Sequence, residues 1–145
     1  MKKIILLAVL AFALFLIGSC DTKISNPSKS KDRLLGKWSI VSIHSTSSYG
    51  SDSTTSFPVG EKVWIIVDEW IWITHEKKYH DYTLSDSVLI LDNNYSYPYK
   101  IVSLTRNTMV LRQEYSIGLD SFTHDFSFER CKEDKDGNLY SLVRK

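Results

Sequence analysis

From Leu34 onward, apolar and polar residues alternate with a dominant period of two rather than 3.6. β-branched and aromatic residues fill the runs, and turn formers separate them. The pattern predicts strands over 37–46, 62–68, 70–75, 79–84, 88–91, 95–105, 109–117, 122–131 and 139–144. The clearest alternation sets Phe122, His124, Phe126, Phe128 and Arg130 against Thr123, Asp125, Ser127, Glu129 and Cys131. One face is aromatic and the other polar, as in a sheet with one buried face. Connections such as Asp68-Glu69, Ser85-Asp86 and Arg106-Asn107 are too short for crossovers, so neighbouring strands run antiparallel. No amphipathic helix lies between the strands, which argues against an α/β fold. A helical turn over 30–35 is the one helical signal near the strands. So long a meander has two exposed edges unless it closes. The expected fold is therefore all-β, an antiparallel up-and-down meander closing into a small barrel of about eight strands. Three features break the rhythm. Pro98 predicts a bulge or unpaired stretch within 95–105. Residues 47–60 read as a long irregular loop, either mobile or lying over a barrel mouth. The runs Trp64-Ile65-Ile66 and Trp70-Ile71-Trp72-Ile73 are apolar on both faces, which suits two-sided burial or a docking patch.

The N-terminus follows another pattern. Lys2 and Lys3 precede an uncharged apolar run over 4–17. That run is shorter than the ~20 residues of a spanning helix and suits a secretory signal. Ile17-Gly18-Ser19-Cys20 resembles the bacterial lipobox. The resemblance implies cleavage after Ser19, a diacylglyceryl thioether on Cys20 and acylation of the new amine. Two or three acyl chains hold a protein stably where one binds only marginally. An ordinary secretory signal cut near a cysteine is the alternative. Residues 21–32 hold Ile24, Pro27, serines and lysines, and read as a tether reaching roughly 20 Å. The expected organisation is a signal peptide over 1–19, a lipidated N-terminus and tether over 20–33, and a barrel domain over 34–145. The expected location is the cell envelope, with the outer membrane preferred.

Composition narrows the function. Apolar residues make up 43% of the chain and aromatics 12%, which is incompatible with a disordered chain. The net charge of +1 offers no surplus for nucleic-acid phosphates. Two cysteines cannot make a disulfide scaffold or a Cys-rich zinc module. The chain lacks G-x-S-x-G, H-E-x-x-H, a P-loop and G-x-G-x-x-G. His44, His75, His80 and His124 read as surface or rim residues. The neighbours His80 and Asp81, like His124 and Asp125, point to opposite faces of a strand and cannot converge on a metal. No cofactor is expected, and the chain reads as non-enzymatic.

Leu35-Gly36-Lys37-Trp38 resembles the G-x-W motif of lipocalins. With Tyr82-x-Leu84, Leu89-x-Leu91, Tyr99-x-Ile101-x-x-Leu104 and Met109-x-Leu111, the ordered set is similar to small bacterial lipocalin-like lipoproteins. The resemblance implies that Gly36 turns the chain into the first strand and that Trp38 plugs the closed end. It also implies that Arg130, or alternatively Arg144, stacks on the indole. A lipocalin-like protein would bind a small apolar or amphipathic molecule. Trp70, Trp72, Tyr97, Tyr99 and Phe126 are the candidate lining, since aromatic walls with polar tips suit such ligands. That reading expects an open cavity of a few hundred Å³. The competing reading is a docking module for another envelope protein, with a filled barrel and an apolar patch near Trp64, Trp70 or Trp72.

Overall fold

The computed structural model describes residues 27–132. A short helix, α1 (Pro27–Leu34), leads into nine strands. These are β1 (Gly36–Ser47), β2 (Asp52–Ser56), β3 (Val63–Ile66), β4 (Trp70–Ile73), β5 (Lys78–Ser85), β6 (Val88–Leu91), β7 (Tyr99–Leu104), β8 (Thr108–Ile117) and β9 (Asp120–Arg130). Every pairing is antiparallel, and β3 to β9 lie side by side in chain order. β1 pairs with β3 along one edge and with β9 along the other, closing an eight-stranded up-and-down barrel with β2 as an added strand. Ser19, Cys20, Arg144 and the strand expected over 139–144 lie outside the described residues.

β1 explains the shape. Gly36–Ser39 pair with β3, whereas Ser42–Thr46 pair with β2. Its other edge follows β9 from Trp38–Arg130 to Ser47–Phe122, with a register slip between Ile40 and Ser42. An extra residue in one strand bends it and sharpens its twist. Beyond that bend, β1, β8 and β9 outrun the four-residue strands β3 and β4. With β2 they form a four-stranded apron projecting from one end of the barrel. The β8–β9 hairpin turns at the apron tip through Gly118-Leu119, where Gly118 takes a φ of +64°. A two-residue hairpin loop needs such a left-handed position, which glycine supplies without steric cost.

Side chains fill the barrel. Trp38, Ile40, Trp64, Ile66, Ile71, Ile73, Leu89, Ile101, Met109, Leu111 and Phe128 form one buried cluster, with Leu34 of α1 joining from below. Each fully buried large side chain contributes about 1.5–3 kcal/mol relative to exposure. Trp64 meets Phe128 edge-to-face at 5.2 Å and Tyr99 at 5.5 Å. Where the lipocalin-like reading expects an open cavity, these rings occupy the space.

Three further expectations are corrected. Residues 47–60 are not wholly irregular, because Asp52–Ser56 form β2 on the far half of β1. The strand expected over 95–105 begins only at Tyr99, directly after Pro98, which has no N–H to give a ladder. The helical turn expected over 30–35 is present but starts earlier, so the last part of the expected tether is helical over Pro27–Leu34, with proline at its first position and Lys31 and Arg33 in its last turn. Both placements suit helix ends: proline's fixed φ at the start, and cations near the negative C-terminus.

Candidate functional site

The two ends of the barrel differ in chemistry. At the end where β1 begins, which we call the floor, the Arg130 guanidinium carbon lies 4.2 Å from the centre of the Trp38 ring. Arg130 donates from Nε to the Arg106 carbonyl at 2.6 Å, from Nη1 to Leu35 at 2.9 Å and from Nη2 to Arg33 at 2.6 Å. Trp38 Nε1 donates to the Leu34 carbonyl at 2.7 Å. The last carbonyls of a helix lack intrahelical partners and carry its negative partial charge. Arg130 and Trp38 satisfy them and thereby bind α1 to the floor. Gly36 makes room with a φ of +134°; a Cβ there would collide with Nη1 of Arg130. Gly36, Trp38 and Arg130 thus meet in one assembly. Cation–π contact adds up to ~2 kcal/mol when desolvated.

At the opposite end the apron presents its inner face. Register places Ile43, Phe126 and Leu111 in one cross-strand row, then Ser45, His124 and Gln113, then Ser47, Phe122 and Tyr115. The middle row is a polar stripe between two apolar ones. His124 Nδ1 lies 2.7 Å from Ser45 Oγ, and its Nε2 lies 3.0 Å from the Tyr115 hydroxyl. Gln113 donates to the Tyr97 carbonyl at 3.2 Å. Rings touch in sequence from the tip to the core. Tyr49 meets Phe122, Phe122 stacks on Tyr115, and Tyr115 touches both Tyr97 and His124. His124 then meets Phe126, Phe126 meets Tyr99, and Tyr99 meets Trp64. Exposure falls along the series, from 62% at Tyr49 and 44% at Tyr97 to 3% at Trp64. Burial, followed by the Glu76 carboxylate, pushes the Tyr99 hydroxyl above its ordinary pKa, so it stays protonated.

Beside the apron, where β5 meets the β4–β5 and β6–β7 connections, sits a polar cluster. His80 is buried, with Nδ1 2.7 Å from Asp92 Oδ2 and Nε2 2.9 Å from Glu76 Oε2. Asp92 also accepts from Lys78 and from the Asp81 amide. Burial raises the Asp92 pKa, but the hydrogen bonds from His80 and Lys78 outweigh it and hold the carboxyl below its usual value. The surface-or-rim reading of His80 is therefore corrected. Its register opposite Ile71 turns it inward, and two carboxylates satisfy the ring. Among the described residues, no group of His, Cys, Asp and Glu has the geometry of a metal centre.

The five candidate ligand residues separate. Tyr99 and Phe126 point inward and touch at 5.6 Å, and Tyr97 joins them through Tyr115 on the apron. Trp70 and Trp72 stand on the outer face of β4, where both rings contact Tyr79. Alternation is the reason, since Ile71 and Ile73 take the inward positions. One lining built from all five is ruled out. Ser45, Gln113, Tyr115 and Phe122 were missed as site residues. Strand parity, which set Phe122 and His124 on the aromatic face, was the signal available for Phe122. Cys131 is half-buried, and burial raises its pKa, which disfavours the reactive thiolate.

No family model matches the chain, and no curated protein is significantly similar to it. Among the described residues, no helix is long and apolar enough to cross a membrane.

Proposed function

We propose that this chain is a non-enzymatic, acyl-anchored binding protein of a bacterial cell envelope, akin to the lipocalin-like lipoproteins. Its ligand is a small apolar or amphipathic molecule, taken on the inner face of the apron rather than inside the barrel. The observation that carries this reading is the half-exposed ring series from Tyr49 to Phe126, crossed by the Ser45–His124–Gln113 stripe, above a filled core. Apolar rings offer contact area, and a narrow polar line fixes the orientation of an amphiphile's head. Native mass spectrometry of the chain extracted from its own membranes in mild detergent tests this. A retained small molecule, lost in the double variant Tyr115→Ser/Phe122→Ser, is expected. An apo mass in both would overturn it. Intact mass also reads the anchor, because Cys20 should carry acyl chains.

A second reading is a docking module for another envelope protein. It is favoured by the Trp70–Tyr79–Trp72 ring cluster on the outer face. Cross-linking of the chain in cells, compared with Trp72→Ala, separates the two. A partner lost only in Trp72→Ala would favour the second.

A further inference from the structure

We propose that the arginine-lined cavity at the barrel floor holds an anionic phospholipid headgroup of the phosphatidylglycerol type. The floor then rests on the bilayer and the apron faces away from it. This placement rests on the acyl-anchor reading above, although the cavity's chemistry does not.

The cavity is open, about 320 Å³ in volume, and lined by Asp32, Arg33, Thr105, Arg106 and Arg130. Three separate parts of the fold converge there: the last turn of α1, the β7–β8 turn and the end of β9. Among the described residues, three arginines and one aspartate line it. Among the described residues, no ion pair engages the side chains of Arg33 or Arg106. The walls are held in place. Three carbonyls fix Arg130. The Thr105 hydroxyl is held by Thr108 Oγ1 at 2.8 Å and accepts from the amides of Asn107 and Thr108. Guanidinium forks match phosphate oxygens in shape and charge. Asp32 refines the choice. A carboxylate beside a phosphate site repels a bare dianion but accepts hydrogen bonds from hydroxyl groups. A phosphodiester bearing glycerol hydroxyls satisfies both.

The chain's own geometry puts this cavity near a membrane. α1 begins at Pro27, so residues 21–26 are all that separate it from Cys20. Even fully extended, that stretch spans roughly 25 Å. The C-terminal turn of the same helix is part of the cavity wall, so an anchored Cys20 brings the floor to the headgroup layer. Basic residues at such a surface are drawn to anionic lipid.

The test uses the chain purified from membranes in neutral maltoside micelles. Dihexanoyl phosphatidylglycerol, dihexanoyl phosphatidylcholine and inorganic phosphate are titrated separately. The readout is the Nε–H resonances of Arg33 and Arg106, assigned by their loss in Arg33→Ala and Arg106→Ala. Saturable shifts with the glycerol lipid, at least tenfold tighter than with either other probe, are expected. Each variant should weaken binding about fivefold. Asp32→Asn should weaken the glycerol lipid without weakening inorganic phosphate. Arg33→Lys keeps the charge but not the fork, so it should weaken the glycerol lipid less than Arg33→Ala does, and it keeps the test interpretable if an alanine variant fails to fold. Equal affinity for inorganic phosphate would assign the site to free phosphate and overturn the proposal. So would equal shifts with the choline lipid, or none at all. An unacylated Cys20 found by mass would sink the anchor reading while leaving this titration interpretable.

Discussion

The floor and the apron are built by the same three long strands, yet they are opposite in physical character. At the floor, Trp38 and Phe128 are 0% and 1% exposed, and the carbonyls of Arg33, Leu34, Leu35 and Arg106 find side-chain donors. On the apron, Tyr115, Phe122 and His124 are only half-buried, and one sheet face has no second layer among the described residues. The contrast continues between two facing tryptophans. Trp38 and Trp64 are cross-strand partners, but the Trp38 indole N–H has an acceptor whereas the buried Trp64 Nε1 has none among the described residues. Closing a sheet lets eight strands share one core. Letting three of them run on, with β2 added alongside, leaves apolar surface exposed. Stability should therefore concentrate at the floor and recognition at the apron.

Four tests can break or sharpen that contrast. The largest effect is expected from Trp38→Ala, at about 3–5 kcal/mol in urea unfolding, against less than about 2 kcal/mol for Phe122→Ala on the apron. Equal losses would erase the distinction. Gly36→Ala should follow at about 1–3 kcal/mol, because the new Cβ meets Arg130 and the backbone angle is unfavourable. A midpoint within error of wild type would mean that the Arg130 clamp can give way. Next comes the tryptophan pair. Trp38→Phe strands the Leu34 carbonyl as well as changing volume, so it should cost about 1–2 kcal/mol more than Trp64→Phe, which loses no hydrogen bond. The reverse order would show that the Trp64 N–H has found an acceptor.

The smallest effect is expected on the outer apron face. Arg112 grips Asp125 with two bonds of 2.7 Å, and that hydrogen bonding, against burial, holds the Asp125 carboxyl below its ordinary value. A lowered folded pKa contributes stability above the unfolded value of 3.8, and the contribution is lost as pH falls through the folded one. Because the arginine is 38% exposed, solvent screening keeps the pair to about 1 kcal/mol. Asp125→Asn should show that deficit at pH 7 and converge with wild type in acid. A deficit that persists below the folded pKa would point to packing rather than charge.

Much of the fold was legible because hydrophobic alternation is strong where one sheet face is buried. β9 could be read residue by residue, and Arg130 was placed on the inner face with Phe128. β2 was invisible for a physical reason. Asp52–Ser56 is polar and exposed throughout, so it carries no alternation, and it is a strand only because β1 extends past β3 and offers an edge. Trp70 and Trp72 misled because Trp70-Ile71-Trp72-Ile73 is apolar at every position, and such a run does not say which pair faces the core. His80 was misjudged for a related reason. The groups that make its burial tolerable, Glu76 and Asp92, sit in turns whose positions depend on the closed barrel.

The Arg130 clamp has a consequence for the order of events in folding. Its guanidinium joins carbonyls 95 and 97 residues earlier in the chain. Contacts between such distant positions form slowly, since a large loop must close first. The cylinder cannot be sealed until the last strand has arrived, and a chain still being synthesised would remain open until its arginine emerged.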